Sequence, residues 1–74
     1  MSQSRLPTLS WRDVLRALQK VGFRPVRQRG SHILLSDNGN IVVIPRHDEI
    51  KPGTLLSIID QAKLTREEFL KLIK

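Results

Sequence analysis

The sequence has no cysteine and no tyrosine, and its only aromatic residues are one Trp and two Phe. Without cysteine, the chain cannot form a disulfide framework, a thiolate metal site or a cysteine nucleophile. The few aromatics lie at positions expected to face the core or to cap helices, so no base-stacking platform for single-stranded nucleic acid is expected. The absence of cysteine also suits a reducing compartment.

Long apolar runs are missing as well, the longest being the four residues at positions 41–44. Such a run is far too short for a transmembrane helix, and the N-terminus lacks the apolar stretch of a secretory signal. We therefore expect a cytoplasmic protein with no membrane partner. The length of 74 residues predicts one domain, residues 9–74, preceded by a flexible tail at residues 1–8.

Charge of one sign is in excess: thirteen Lys and Arg stand against seven Asp and Glu, which gives a net charge of +6. The whole excess lies in residues 1–36, which carry seven basic groups and one acid, whereas residues 37–74 carry six of each. This asymmetry favours a polyanionic partner, which is nucleic acid or an acidic protein before it is a membrane surface. The alternative is a charge that serves only solubility.

Capping signals and periodicity predict three helices. Ser10 is a suitable N-cap for the first helix, and Gly22 ends it. The apolar stripe of this helix is expected to be buried and consists of Trp11, Val14, Leu15, Leu18 and Val21. Pro52 opens the second helix, and a capping box formed by Thr65 and Glu68 opens the third.

Between the first two helices, the residue pattern predicts strands at residues 23–28, 32–36 and 41–44. Pro25 marks the first of them as an edge strand or a bulged strand, and short turns connect the three. The order α-β-β-β-α-α therefore predicts an α+β domain of two layers, a three-stranded antiparallel sheet with helices on one face. The other sheet face is left open, and residues 46–51 are expected to form a polar loop.

The segment with the most suggestive chemistry precedes the second strand, where Arg27 and Arg29 are followed by Gly30-Ser31-His32. Histidine is suited to proton transfer near neutral pH, and arginine holds a phosphate with its planar fork. Ser31 can add a hydroxyl contact, and the Gly30 backbone can approach a phosphate closely. These groups are a minimal set for cutting RNA, with His32 taking the proton of a ribose 2′-OH and the arginines stabilising the developing charge.

A lone histidine in a strand is more often structural or merely exposed than catalytic. Strand alternation directs Ile33 and Leu35 to the core and His32 to the open face, where a ligand can reach it. The second histidine, His47, and the two acids that follow it are too closely spaced to share one metal ion, so no metal site is predicted. His47 becomes a second candidate for proton transfer if its loop folds towards His32.

A basic stripe on the first helix consists of Arg12, Arg16 and Lys20, which are spaced by four residues. These side chains either contact phosphates, in which case binding depends on salt, or form the solvated face of an amphipathic helix.

Taken together, the motifs resemble those of the HicA (YcfA-like) toxins of bacterial and archaeal toxin–antitoxin systems, from about residue 10 to residue 73. The resemblance rests on Gly30-Ser31-His32, on a strand ending in Pro45, and on the segments at residues 50–55 and 62–69. Gly-Ser-His about twenty residues before Lys-Pro-Gly-Thr-Leu is quite specific in a chain of this size.

This resemblance implies a fold like the double-stranded RNA-binding domain and a ribonuclease that cleaves mRNA without a metal or small-molecule cofactor. It also implies a HicB-type antitoxin as the protein partner and His32 as the active-site histidine. The candidate RNA contacts are Arg12, Arg16, Lys20, Arg24, Arg27, Arg29, Gly30, Ser31 and Lys51. A non-catalytic RNA-binding module and a domain whose open sheet face docks a protein are the competing interpretations.

Overall fold

Helix α1 spans Trp11–Gln19 and begins where the sequence predicts, because Ser10 and Asp13 form a reciprocal capping box. The Ser10 hydroxyl accepts the Asp13 N–H at 3.3 Å, and the Asp13 carboxylate accepts the Ser10 N–H at 3.1 Å. Gly22 then reverses the chain with a φ of +97°. This computed structural model describes residues 7–73, so most of the predicted tail at residues 1–8 lies outside the described residues.

The three strands form one antiparallel sheet in the order β1-β2-β3, with β1 at Arg24–Arg29, β2 at His32–Ser36 and β3 at Ile41–Pro45. A two-residue turn joins β1 to β2, and Gly30 adopts the positive φ of +56° that a primed hairpin turn requires. The second turn is held by the Asp37 carboxylate, which accepts the N–H groups of Gly39 and Asn40 at 3.1 and 2.8 Å. The predicted meander is therefore confirmed.

Both expectations for β1 are confirmed, since it is an edge strand and it is bulged. Pro25 pairs with Leu35, but the next residue of β2, Leu34, pairs with Arg27. Val26 is the extra residue, and it is left 60% exposed.

Helices α2, Pro52–Gln61, and α3, Arg66–Leu72, follow the sheet. Pro52 occupies the first turn of α2, and Thr65 and Glu68 form the predicted capping box of α3. The α2 side chain of Gln61 accepts the outward N–H of Val43 at 3.0 Å, so this helix is held beside the free edge of β3. No helix in residues 7–73 combines the length and hydropathy needed to cross a membrane.

The core lies between the helices and one face of the sheet, which confirms the α+β architecture and is consistent with a fold like the double-stranded RNA-binding domain. Within residues 7–73 no polar or charged residue is buried. The buried residues are Val14, Ala17, Leu18, Phe23, Ile33, Leu35, Val42, Ile44, Ile50, Leu55, Ile58, Ile59, Ala62 and Phe69.

Four positions differ from the sequence-based expectations. Ile50, placed in a polar loop, is only 1% exposed and forms an isolated β-bridge with Leu9, whose carbonyl accepts its N–H at 2.6 Å. Trp11 and Leu15 are half-buried and pack against the core rather than lying within it. Val21 is 39% exposed because α1 ends at Gln19, before the periodic stripe would bring this side chain round to the core.

Candidate functional site

The open face of the sheet carries three rows of side chains, because residues paired across antiparallel strands point to the same side. Ile33 and Leu35 of β2 point into the core, so the alternate positions of β2 and their partners point outward. The three rows are Arg24–Ser36–Ile41, Arg27–Leu34–Val43 and Arg29–His32–Pro45.

The bulge explains why three arginines share this face. Arg24 and Arg27 are three residues apart, and in a regular strand that spacing would send them to opposite faces. The extra residue, Val26, restores the phase, so that both pair with outward-facing residues of β2. The predicted contacts Arg24, Arg27 and Arg29 therefore form one basic edge on the open face, and all three are exposed.

His32 lies at the first position of β2, directly after the Gly30-Ser31 turn, and it is exposed. Its partners in the row are Arg29 on one side and Pro45 on the other. The Ser31 carbonyl accepts the Arg46 N–H at 2.6 Å, which ties the loop after β3 to this turn. The predicted orientation of His32 towards the open face is confirmed by the burial of Ile33 and Leu35.

An open cleft of about 580 Å³ begins at His32. Its walls are the ends of β2 and β3, the loop that follows β3, and helix α2. The lining residues are His32, Val43, Pro45, His47, Glu49, Ile50, Lys51, Thr54 and Gln61. The cleft therefore unites His32 with the predicted contact Lys51 and with the second histidine of the chain.

His47 reaches this cleft because its loop is held by the main chain. The His47 carbonyl accepts the Trp11 N–H at 3.0 Å, and the His47 N–H donates to the Pro45 carbonyl at 2.8 Å. The sequence made His47 a candidate for proton transfer only if its loop folds towards His32. The loop does so, since both histidines line one cleft.

The first turn of α2 adds positive potential to the same cleft. Lys51 is the N-cap residue, but its side chain makes no capping hydrogen bond. The first main-chain bond of the helix runs from the Leu55 N–H to the Lys51 carbonyl at 2.9 Å, so the N–H groups of Gly53 and Thr54 precede it. Such a helix start favours an anion. Glu49 is the carboxylate that lines the cleft in the described part of the chain.

The basic residues of α1 lie elsewhere. Arg16 is 3.9 Å from Asp13 in an exposed ion pair, and the Lys20 ammonium donates to the Leu72 carbonyl at 2.6 Å, at the end of α3. The Arg12 guanidinium lies 4.8 Å from the centre of the Trp11 ring, within the range of a cation–π contact. None of the three lines the cleft that contains His32.

Sequence reasoning missed Arg46, whose guanidinium lies 5.0 Å from the centre of the Trp11 ring. Its loop position carries no local signal for this contact, which depends on the hydrogen bond between the loop and α1. Within residues 7–73, no three His, Cys, Asp or Glu side chains are grouped as a metal-ion site would need.

The fold and the cleft define a small α+β domain with a basic open sheet face and two histidines in one concavity. Residues 11–64 match the family model described as the HicA toxin of bacterial toxin–antitoxin systems. The match covers well over half of the chain, so the chain belongs to the HicA toxin family and is a toxin of a toxin–antitoxin system with an antitoxin as its partner. No curated protein matches the chain.

Proposed function

We propose that this toxin is an endoribonuclease that cleaves mRNA and that His32 is its general base. The observation that carries the proposal is the position of His32, exposed on the open sheet face, in one row with Arg29 and in one cleft with Lys51. Membership of the HicA family supports the assignment to a toxin.

The chemistry uses groups of the cleft together with Arg29, the neighbour of His32 in its row. The His32 imidazole takes the proton of a ribose 2′-OH, and the resulting oxygen attacks the adjacent phosphorus. Lys51 and Arg29 stabilise the negative charge that grows on the phosphate oxygens in the transition state. The N–H groups at the start of α2 add to this stabilisation, because they point their positive ends at the anion.

RNA binding depends on the basic edge formed by Arg24, Arg27 and Arg29. The three arginines follow one another along β1, one in each row, so a phosphate backbone that runs along this strand meets a cation in every row. Gly30 and Ser31 bring the main chain of the turn close to the same backbone. Binding of this kind is electrostatic and independent of base sequence.

The antitoxin is proposed to be a HicB-type protein that covers the cleft and the open face in the cytoplasm. Two of the three rows on that face carry apolar side chains. Leu34 and Val43 in the row of Arg27 are half-buried, and Ile41 in the row of Arg24 is 58% exposed. Covering this surface would bury its apolar area and would also keep RNA away from His32.

Replacement of His32 by alanine tests the proposal. We expect His32→Ala to keep its fold and most of its RNA affinity, since the side chain is exposed and the cations carry binding. Cleavage should fall by on the order of 10²–10⁴-fold, as measured with end-labelled mRNA, and growth arrest on induction should disappear. The matched control is Ser36→Ala, on the same face at the other end of β2. A His32→Ala variant that still cuts RNA and stops growth would refute the mechanism.

The pH and metal dependence of cleavage give a second test. Cleavage should fall as the solution is made acidic, because a general base must be unprotonated to accept the 2′-OH proton. It should persist in EDTA, because the proposed step uses side chains for proton transfer and charge stabilisation. Cleavage that EDTA abolishes and Mg²⁺ restores would contradict this assignment.

The competing function is a non-catalytic RNA-binding module. The basic edge favours it independently of the histidines, since Arg24, Arg27 and Arg29 suffice for phosphate contacts. A wild-type protein that binds RNA but cuts none under any buffer condition would establish this alternative.

A further inference from the structure

We propose that His47 is the second proton-transfer residue of the cleft and protonates the leaving 5′ oxygen, an inference that rests on the proposed ribonuclease function. Cleavage by a 2′-OH needs two proton transfers, one from the nucleophile and one to the leaving group. His32 can make only the first of them in a single step. The second histidine of the chain lines the same cleft.

The backbone places the two histidines at a distance that suits a phosphodiester between them. His32 pairs with Pro45 across the sheet, and His47 follows Pro45 by two residues. The Cα atoms of paired antiparallel residues lie about 4.5–5.5 Å apart, and two residues add at most about 7 Å. The two Cα atoms are therefore within roughly 13 Å of each other, with both side chains lining the space between.

The loop that carries His47 is anchored at both ends. At its start, the Arg46 N–H donates to the Ser31 carbonyl at 2.6 Å, and the His47 carbonyl accepts the Trp11 N–H at 3.0 Å. At its end, Ile50 is buried in the core and bridged to Leu9. These contacts fix the backbone from which the His47 side chain extends into the cleft, and such positioning favours proton transfer.

Charged groups of both signs surround His47. Glu49 and Lys51 line the cleft with it and with His32, while Arg46 and Asp48 flank it in the loop. Because these two acids and two basic groups balance, net charge does not assign the roles of the two histidines. The path of the phosphodiester across the cleft decides which histidine lies next to which oxygen. His32 belongs to the sheet face that binds the backbone, so His47 is left to the leaving group on the side of the loop.

The reaction balances with these two groups alone. Neutral His32 gains the 2′ proton as the bond from the 2′ oxygen to phosphorus forms. Protonated His47 loses its proton to the 5′ oxygen as the bond from phosphorus to that oxygen breaks. The products are a 2′,3′-cyclic phosphate and a 5′-hydroxyl, and proton exchange with water restores both histidines.

A substrate with a sulfur leaving group separates the two roles. An RNA oligonucleotide with one bridging 5′-phosphorothiolate expels a thiolate, which needs no proton because thiols are far more acidic than alcohols. We expect His47→Ala to lose on the order of 10²–10⁴-fold in cleavage of the oxygen substrate, and to cut the sulfur substrate close to the wild-type rate. His32→Ala should lose activity on both substrates.

Two further measurements complete the test. The pH profile of kcat/KM should be bell-shaped for the wild type, and His47→Ala should lose its alkaline limb, since that limb reports the acid. Asp60→Ala, an exposed change on α2 outside the cleft lining, should retain both activity and profile. Thermal unfolding of each variant controls for folding.

The possible outcomes distinguish this inference from the proposed function. Full activity of His47→Ala on the oxygen substrate, or an equal loss on both substrates, would overturn the role of His47 and leave His32 in place. A wild-type protein that cuts neither substrate would overturn the ribonuclease function, and the role of His47 with it.

Discussion

Arg27 and Arg29 lie in two adjacent rows of the open face, and their charge is expected to set RNA affinity. Replacing both by glutamine should weaken binding to all RNA sequences alike and reduce the salt slope of log K by roughly one unit per lost phosphate contact. Filter binding or fluorescence anisotropy over a salt series measures both quantities.

The charge-matched control for that experiment is a double replacement of Arg12 and Arg16 by glutamine. These residues were also predicted as RNA contacts, but they lie on α1, where they contact Trp11 and Asp13. We expect the smaller effect from this pair. Equal losses from the two pairs would mean that binding follows net charge, and a larger loss from the α1 pair would move the RNA surface to that helix.

Two aspartates make folding stability depend on acid pH. The Ser10 N–H holds the pKa of Asp13 below its ordinary value, and the Asn40 N–H does the same for the pKa of Asp37. A carboxyl whose pKa is lower in the folded than in the unfolded chain stabilises the fold above the unfolded pKa, near 3.9. That stabilisation is lost as the pH falls through the lower, folded pKa.

The expected result is a free energy of unfolding that declines below about pH 4. The double variant Asp13→Asn/Asp37→Asn keeps acceptor oxygens in both turns but cannot titrate there, so its decline should be smaller. Urea unfolding at a series of pH values makes the comparison. Parallel declines in wild type and variant would show that other groups cause the acid sensitivity.

At the scale of the element, α3 lies beyond the residues matched by the family model, which end at Leu64. It is nevertheless part of the core, because Phe69 is completely buried and Lys20 of α1 donates to the Leu72 carbonyl. Phe69→Ala should cost about 3–5 kcal/mol, a large share of a total of about 5–15 kcal/mol. Deleting residues 65–74 should unfold the domain.

Denaturant unfolding followed by circular dichroism measures this cost. Lys71→Ala, an exposed change in the same helix, is the matched control and should alter stability little. A truncated chain that melts cooperatively near the full-length temperature would show instead that α3 is dispensable.

The elements were predictable from the sequence because their determinants are local. Ser10 and Thr65 cap helices through contacts three residues away. Gly30 indicates a turn, and Pro25 indicates a bulged edge strand. Alternation in β2 also predicts that His32 points outward. These signals act within a few residues, so no tertiary information is needed to recognise them.

The rest of the site could not be predicted, because it depends on contacts between distant segments. The position of His47 follows from a hydrogen bond to Trp11, and the burial of Ile50 follows from its bridge to Leu9. Both link the loop after β3 to the start of α1, more than thirty residues earlier. A polar loop with one isoleucine gives no sequence signal for either contact.

In the whole molecule, the uneven charge of the sequence becomes an uneven surface. The basic residues 1–36 supply α1, β1 and β2, whereas the electrically neutral residues 37–74 supply β3, α2 and α3. The cleft lies beside the basic half: His32 comes from that half, and His47 and the other lining residues come from the second. A polyanion attracted to the basic half is therefore brought next to the cleft that both histidines line.

The bulge in β1 shows that the charge of the open face depends on pairing register and not on composition alone. With Val26 present, Arg24 shares a face with Arg27 and Arg29. If Val26 were paired in a regular strand instead of bulging, Arg24 would turn to the face opposite Arg27 and Arg29, although the net charge of the chain would not change. Deleting Val26 would leave a regular strand in which all three arginines still point outward. The register in which β1 pairs with β2 therefore decides how many arginines reach the open face, whereas a substitution changes the charge at one position only.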